Sequence, residues 1–287
     1  MKRRVLVIGP GRVGRCLALA HEQDGASVQL LGRLDGEWQQ WTKRNQIEAL
    51  LDWPLEGSRF DLILLAVADK DLQSVIEQVA KSEIATDAVV VHLSGASDVT
   101  ILQPLQAATA IAALHPLMAF SESARDDLQQ LATSAVIVDC ADDQLDRIHA
   151  MVDCWQARFR RLPADQNRAS YHLGLALLSN HITSITAWAK DLLQPALGEE
   201  TETLIRAMSQ RAVEATLMHG GQEALTGPVV RGDLTTIQEH LASLPADQAE
   251  RYRGSLIAVI DLAAASGRLP AEHEAQLRTL TKGSQNR

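Results

Sequence analysis

Short apolar runs alternate with segments of helical spacing over the first 160 or so residues of this 287-residue chain. Such runs, of strand length and rich in Val, Ile and Leu, are typical of strands buried on both faces of a parallel sheet. Their alternation with helices predicts an α/β fold with a doubly wound parallel Rossmann sheet, whose ligands bind beyond the carboxyl ends of the strands. The predicted strands lie within 5–8, 26–33, 60–67, 87–97, 109–120, 134–140 and 157–162.

The pattern changes at "LPADQN", residues 162–167, beyond which only helical periodicities occur. We therefore predict two domains, a Rossmann domain over 1–163 and an all-helical domain over 164–287. Within the helical domain, the segment 168–193 is apolar on nearly every side. A helix of this kind is buried under its neighbours or in a subunit interface, so we expect a homodimer formed mainly through the helical domain.

The stretch "VIGPGRVG" joins the first strand to the first helix, and its glycines have G-x-G-x-x-G spacing. Gly9 would allow the turn, Gly11 the approach of a pyrophosphate, and Gly14 the close packing of helix on strand, while the helix N-terminus faces the phosphates. A glycine-rich turn without a ligand is the alternative. The predicted cofactor-binding residues of this loop are Gly9, Pro10, Gly11, Arg12, Val13 and Gly14.

The end of the second strand favours NADP over NAD. Dinucleotide-binding domains specific for NAD place Asp or Glu there to bind the ribose 2′-hydroxyl, whereas this chain has Gly32 and Arg33. A guanidinium suits a 2′-phosphate, although Arg33 could also be merely solvated and the nearby Asp35 could reverse the preference. Two further strand ends should border the cofactor, contributing Ala66, Val67, Ala68, Ser94 and Gly95.

Charge and composition exclude several classes of partner. A formal net charge of −9 and a pI near 5.5 disfavour nucleic acid and anionic membranes. No signal segment or membrane-length apolar run is visible, so we expect a cytoplasmic protein. The three cysteines are scattered, and no H-x-x-x-H or H-E-x-x-H pair occurs, so neither disulfides nor a metal site is predicted.

Polar residues interrupt the apolar helix at Tyr171, His172, Asn180 and His181. At regular helical spacing His172 and Asn180 share a face, and buried polar groups need partners, either in a hydrogen-bonded core cluster or in a substrate site. Further along, Arg231 could anchor a substrate carboxylate or a cofactor phosphate, or pair with a neighbouring acid.

Several motifs together resemble a known family: "GPGRVG", "LILLAVADKDL", "HLSGA", "HPLMAF", "YHLGLALLSN" and "LTGPVVRGD". The chain resembles the Rossmann-like family whose helical C-terminal half is a domain of unknown function (2520), related in layout to ketopantoate reductases, pyrroline-5-carboxylate reductases and β-hydroxyacid dehydrogenases. The resemblance implies an NADP-binding domain followed by a helical domain that dimerises. It does not supply a reaction.

The better-known relatives carry a Lys and an Asn on the first long helix of the second domain. Aligned by register, His172 stands in the lysine-like position, Ala176 in the first asparagine-like position and Asn180 in the second. The lysine is absent, so a histidine would have to donate the proton, and His115, at a strand end near Ser94, competes with His172 for that role.

Together these observations predict an NADP-dependent oxidoreductase that reduces a C=O or C=N bond of a small organic acid. The reactive centre is expected between the domains, with His172 or His115 as proton donor, Asn180 and Ser94 as orienting groups, and Arg231 as carboxylate anchor. The alternative is a non-catalytic NADP-binding sensor or scaffold that has lost the lysine.

Overall fold

A computed structural model describes residues 2–32, 37–53, 58–82, 84, 87–106, 110–163 and 165–282. The chain divides into two compact units, Met1–Ile182 and Thr183–Arg287. The strands end at Arg161, close to the predicted change from sheet to helix, while the first compact unit continues through one further helix.

Eight strands form one sheet in the first unit, in the order β3-β2-β1-β4-β5-β6-β7-β8. The order reverses between β1 and β4, which is the topological switch point where doubly wound sheets bind ligands. The strands are β1 (Arg4–Ile8), β2 (Ser27–Leu31), β3 (Glu48–Leu50), β4 (Leu62–Leu65), β5 (Val89–His92), β6 (Ala110–Pro116), β7 (Ala135–Asp139) and β8 (Arg158–Arg161).

Helices cover both faces of this sheet, and alternate strand residues supply the two cores. Val5 and Val7 of β1 belong to one buried cluster, whereas Leu6 and Ile8 belong to the other. Because successive strand side chains point to opposite faces, this continuous apolar run is what a strand covered on both sides requires. The helices of this unit are α1 (Arg12–Gln23), α2 (Glu37–Arg44), α3 (Asp69–Lys81), α4 (Ala124–Leu131), α5 (Leu145–Val152) and α6 (Arg168–Ala176).

One strand pair departs from the all-parallel prediction, because β6 and β7 are antiparallel, with Pro116 opposite Val136. Helix α4 lies in the connection between them, and because β7 runs opposite to β6, the chain re-enters the sheet at the end where β6 left it. The predicted doubly wound α/β class is otherwise confirmed.

The second unit is helical throughout its described residues. Its buried core joins residues of α10, α11, α12 and α13, among them Val230, Ile237, Ile260 and Leu277. Asp233 caps α11 by accepting a hydrogen bond from the Thr236 amide at 3.1 Å, as its place before the helix indicates. The helices are α7 (Ile182–Leu197), α8 (Thr201–His219), α9 (Gly221–Ala224), α10 (Pro228–Arg231), α11 (Leu234–Ser243), α12 (Ala246–Ala265) and α13 (Ala271–Thr281).

The predicted long helix over 168–193 is not a regular α-helix. A π-helical segment, Leu177–His181, lies between α6 and α7. No side chain of α6, the π segment or α7 is buried. Among the described residues, fourteen large hydrophobic side chains are exposed, and twelve of them lie between Leu173 and Met218. No helix in the described part of the chain is both long and apolar enough to span a membrane.

Candidate dinucleotide and proton-transfer site

The glycine-rich loop has the backbone geometry that its sequence predicts. Gly9 adopts φ +111°, and a Cβ at this position would overlap the carbonyl of Ala66 at the end of β4. A Cβ on Gly14 would overlap the carbonyl of Gly9, so α1 packs directly on the loop. A Cβ on Gly11, in contrast, would meet no atom within 4 Å, which leaves open space where a pyrophosphate would approach.

The N-terminus of α1 suits an anion. Gly11 is the N-cap and provides no side-chain hydrogen bond, and the first turn contains no acidic residue. Its free amides and the helix dipole therefore favour a phosphate. Glu122 lies nearby, accepting hydrogen bonds from Arg12 Nε at 2.7 Å and Arg15 Nη2 at 2.9 Å. The bond from Arg12 lowers the pKa of the Glu122 carboxyl, with Arg15 adding to the effect.

A cleft of about 830 Å³ extends from this loop along the switch point of the sheet. Its volume lies in the range of small-molecule and cofactor sites. The cleft includes several of the predicted cofactor-binding residues and two side chains that follow β3. Its lining includes Gly9, Pro10, Gly11, Gly32, Leu51, Trp53, Ala66, Val67, Ala68 and Asp71. Arg33 and Asp35, on which the choice of nucleotide depends, lie outside the described residues.

Beyond β5, the predicted Ser94 is held in a tight turn. Its hydroxyl oxygen accepts hydrogen bonds from the amides of Ala96 at 3.2 Å and Ser97 at 3.0 Å, which leaves the hydroxyl proton available for donation. The Ser94 amide donates to Nδ1 of His92 at 3.2 Å, and Nε2 of that fully buried ring donates to the Asp98 carbonyl at 3.0 Å. His92 is thus a neutral structural residue of this turn.

His115 lies directly over Gly95. A Cβ on Gly95 would come within 2.5 Å of the His115 ring, so only glycine leaves room for the imidazole. Nδ1 of His115 is 3.0 Å from the hydroxyl of Tyr171, and the two rings meet edge to face. The ring of His172 is 6.3 Å from that of His115, centroid to centroid. The structure therefore brings the two predicted histidines together, with Tyr171 beside them.

Arg168 anchors α6 to the sheet of the same unit. Its guanidinium donates to the Ser97 carbonyl at 3.0 Å and forms an ion pair with Asp139 at the end of β7. The Arg168 side chain is only 13% exposed, which makes this pair stronger than an ordinary surface ion pair. Because Tyr171 follows Arg168 by three residues on one helix, the anchor positions the tyrosine above His115.

Burial keeps His115 uncharged at neutral pH. It is the largest cause that lowers the pKa of His115 to about 4, and the neighbouring His172 and Arg168 lower that pKa further. Asp69, at the start of α3, acts in the opposite direction. Burial likewise raises the pKa of Tyr171 to about 12, so its hydroxyl stays protonated. His115 and Tyr171 therefore each hold a transferable proton while carrying no net charge at neutral pH.

The other predicted residues are not joined to this cluster by a described contact. Asn180 is exposed and accepts only a weak hydrogen bond, at 3.4 Å, from the Ser179 hydroxyl. The regular spacing that placed it on the face of His172 does not hold across the π segment, whose turns contain more residues. Arg231 ends the short helix α10 in the second unit and is exposed.

The sequence alone assigned no role to three residues that surround His115: His92, Arg168 and Tyr171. His92 carries a usable signal, since it is a polar residue at the end of an apolar strand. Tyr171 is visible only as a polar interruption, and the sequence does not reveal its contact with His115, 56 residues earlier. Within the described residues, no group of three or more His, Cys, Asp or Glu side chains could hold a metal ion.

Structural comparison finds solved proteins that share this fold over nearly the whole chain. A protein from Bacteroides fragilis, provisionally named an NADP oxidoreductase, has a TM-score of 0.71 at 17% identity, with 98% of each chain covered. A pyrroline-5-carboxylate reductase from Coxiella burnetii has a TM-score of 0.52 at 14% identity, covering 98% of this chain and 99% of that one. An imine reductase variant from Myxococcus stipitatus, in complex with NAD⁺, has a TM-score of 0.52 at 16% identity, covering 98% and 93%.

Sequence comparison identifies the two parts of the chain. No curated protein sequence matches it significantly. Residues 1–116 match the model of a Rossmann-like domain, which ends with β6 and so includes the glycine-rich loop, Gly95 and His115. Residues 134–256 match the model of a domain of unknown function, DUF2520, which begins with β7 and β8 and includes Arg168, Tyr171 and His172. The two matches together span most of the chain, with the Rossmann-like model followed by the DUF2520 model.

Proposed function

We propose that this protein is a nicotinamide dinucleotide-dependent reductase. The observation that carries the proposal is the glycine-rich loop, whose glycines are required by close contacts at Gly9 and Gly14 while the space beside Gly11 stays open. An uncapped helix N-terminus and a cleft of about 830 Å³ adjoin this loop. The named functions of the structural neighbours, an NADP oxidoreductase and two reductases of imine-type compounds, support the same class.

NADP is the proposed cofactor because Arg33 follows Gly32 at the end of β2, where the adenosine ribose is recognised. A guanidinium–phosphate contact contributes on the order of 1.5–3 kcal/mol, or about tenfold to a hundredfold in affinity. Calorimetric titration should therefore show tighter binding of NADPH than of NADH. Equal affinities, or an unchanged preference in Arg33→Ala, would contradict this choice.

When bound, a reduced nicotinamide supplies hydride, and the protein must supply a proton. The proposed reaction is reduction of a C=O or C=N bond in a small organic acid. The proton comes from the cluster formed by His115, Tyr171 and His172, since this is where the described structure brings transferable protons together beside the end of β5. Ser94 and Asn180 remain proposed orienting groups, and Arg231 the proposed carboxylate anchor.

The same proposal includes a homodimer. Helices α6, α7 and α8, together with the π segment between α6 and α7, expose twelve large hydrophobic side chains, and a second copy of the chain offers a matching apolar surface. Symmetric pairing would remove these side chains from water.

The experiment is NADPH oxidation on a panel of 2-oxo acids and cyclic imines, with nucleotide affinity measured separately. His115→Ala and His172→Ala should lower turnover by about a hundredfold or more, because each removes a member of the proton-transfer cluster, and nucleotide affinity should stay nearly unchanged. His219→Ala, an exposed histidine at the end of α8, is the control. Tight NADPH binding without turnover on the whole panel would instead favour the sensor or scaffold.

A further inference from the structure

His115 is poorly suited to donate the proton directly to substrate. His115 is partly buried, its ring lies flat against Gly95, and one of its two nitrogens is occupied by the Tyr171 hydroxyl. A neutral imidazole is a much weaker acid than an imidazolium, so His115 alone is a poor donor to substrate. The phenol of Tyr171, which is half-buried like His115, lies within hydrogen-bond distance of that ring and carries a proton of its own.

We propose that Tyr171 is the residue that donates the proton to substrate, and that His115 returns a proton to it. This inference rests on the proposed reductase function and names the donor within it. The hydrogen bond of 3.0 Å between the Tyr171 hydroxyl and His115 Nδ1 carries the inference, together with the Arg168 anchor that fixes the start of α6.

The proton balance is complete within these residues and water. As the substrate carbon gains hydride, the O–H bond of Tyr171 breaks and its proton forms a bond to the substrate oxygen. The resulting phenolate takes the proton from Nδ1–H of His115 as Nε2 of the same ring takes one from a hydronium ion of the solvent, which becomes water, so the ring carries no charge before or after the step. The two nitrogens have then exchanged roles, and exchange of the ring protons with solvent restores the starting tautomer.

The identity of the donor favours a carbonyl substrate. A phenol, with an ordinary pKa near 10, is a stronger acid than the alcohol that forms when a carbonyl accepts hydride, so proton transfer to the alkoxide is downhill. An imine has to be protonated before it accepts hydride, and a phenol is a weaker acid than an iminium ion. We therefore expect 2-oxo acids to be reduced in preference to cyclic imines.

Charged and titratable groups surround His115 on several elements. His92 lies on β5, Asp69 begins α3, and Arg168 and His172 lie on α6 beside Tyr171. Arg168 and His172 disfavour a positive charge on the His115 ring, whereas Asp69 favours one. The cluster therefore keeps the imidazole neutral and able to accept a proton at Nε2 after each transfer.

The two tyrosines of the chain provide a matched pair of variants. Tyr252 in α12 also contacts a histidine, with its hydroxyl 2.9 Å from Nδ1 of His240, and it is about as buried as Tyr171. Tyr171→Phe removes the donor and keeps the ring against His115, whereas Tyr252→Phe removes an equivalent tyrosine–histidine bond elsewhere. Both variants should fold with similar melting temperatures.

Tyr171→Phe should lower kcat for 2-oxo acids by about a hundredfold or more, with KM and NADPH affinity within about twofold of wild type. Tyr252→Phe should behave as wild type. Nitrogen NMR of the imidazoles adds a readout without substrate: loss of the Tyr171 hydroxyl should change the tautomer signal of His115 and leave His172 unchanged.

A Tyr171→Phe variant with wild-type kcat would overturn this inference and leave the reductase proposal standing. Preferential reduction of imines by the wild-type protein would overturn the carbonyl assignment. Absence of turnover on every compound, with NADPH bound, would overturn both the inference and the reductase proposal.

Discussion

The strands of the sheet and the helices from α6 to α8 are both apolar in sequence, yet the apolar side chains of the strands are buried and many of those of the helices are exposed. Every residue of β4 is buried, and Leu64 has no exposed surface, whereas Leu178 of the π segment is 69% exposed. The strands find partners within their own unit, on both faces of the sheet. The contrast teaches that apolar pattern specifies a need for a partner and leaves open which molecule provides it.

The largest expected effect concerns assembly, because a dimer would bury the side chains of α6 to α8 as those of the strands are already buried. In the proposed homodimer the exposed leucines of α6 to α8 become buried, and a charge among them would be costly. Leu178→Arg should convert a particle of twice the 31.2 kDa chain mass into one of single mass in light scattering at micromolar concentration. Ile257→Arg, on α12 and also exposed, serves as the control and should leave the dimer intact. A monomeric wild-type protein would break the comparison.

The second effect compares the loss of unfolding free energy on truncating a buried and an exposed leucine of the same chain. Leu64→Ala removes a side chain from a closed core, where truncation leaves a cavity and costs about 2–5 kcal/mol of unfolding free energy. Leu217→Ala removes one that is 82% exposed and should cost less than about 0.5 kcal/mol. Urea unfolding of both variants in the Leu178→Arg background excludes any contribution from assembly. Similar losses at the two positions would show that Leu217 is packed within its own chain.

A smaller effect concerns the pH dependence of stability, to which a buried histidine of the first unit contributes and an exposed histidine of α8 does not. Burial lowers the pKa of His21 from 6.5 to about 3 in the first unit, where Trp155 Nε1 donates to its Nε2 at 3.1 Å. The folded state therefore binds fewer protons than the unfolded state between these values, so the stability that His21 contributes is complete above 6.5 and is lost as the pH falls towards 3. Between pH 7 and pH 5 the loss is about 2 kcal/mol.

His21→Gln, whose carbonyl can still accept from Trp155, should remove most of that loss in urea unfolding at the two pH values. His219→Gln, at an exposed position of α8, should leave the pH dependence unchanged. The burial of His92 and His115, which also lowers their pKa values, should preserve part of the slope in both variants. A His21→Gln variant with the full wild-type slope would contradict the assignment.

Most of the sheet could be predicted because its strands are continuous apolar runs with glycines or polar residues at their ends. The strand β3 has only three residues, which is too short for a periodic signal. The antiparallel direction of β7 is not visible in any pattern within β7 itself. Likewise, no periodicity in "LLSNH" distinguishes the π segment from the α-helix on either side.

The residues of the candidate site likewise divide into those whose position could be predicted from the sequence and those whose position could not. Gly95 and His115 follow or end apolar strands, so their position near one edge of the sheet follows from topology. Tyr171 and Arg168 reach the cluster through contacts with residues 56 and 29 positions away, which depend on how α6 packs. A pattern read along the chain has no access to such contacts.

The contact between Gly95 and His115 has an evolutionary consequence. The ring occupies the volume that any side chain at position 95 would need, and His115 lies in β6, next in the sheet to the strand β5 that Gly95 follows. A larger residue at position 95 would expel the imidazole, whereas loss of the imidazole would remove the constraint to glycine. Among homologous sequences the two positions should therefore vary together, with glycine at the first wherever histidine is kept at the second.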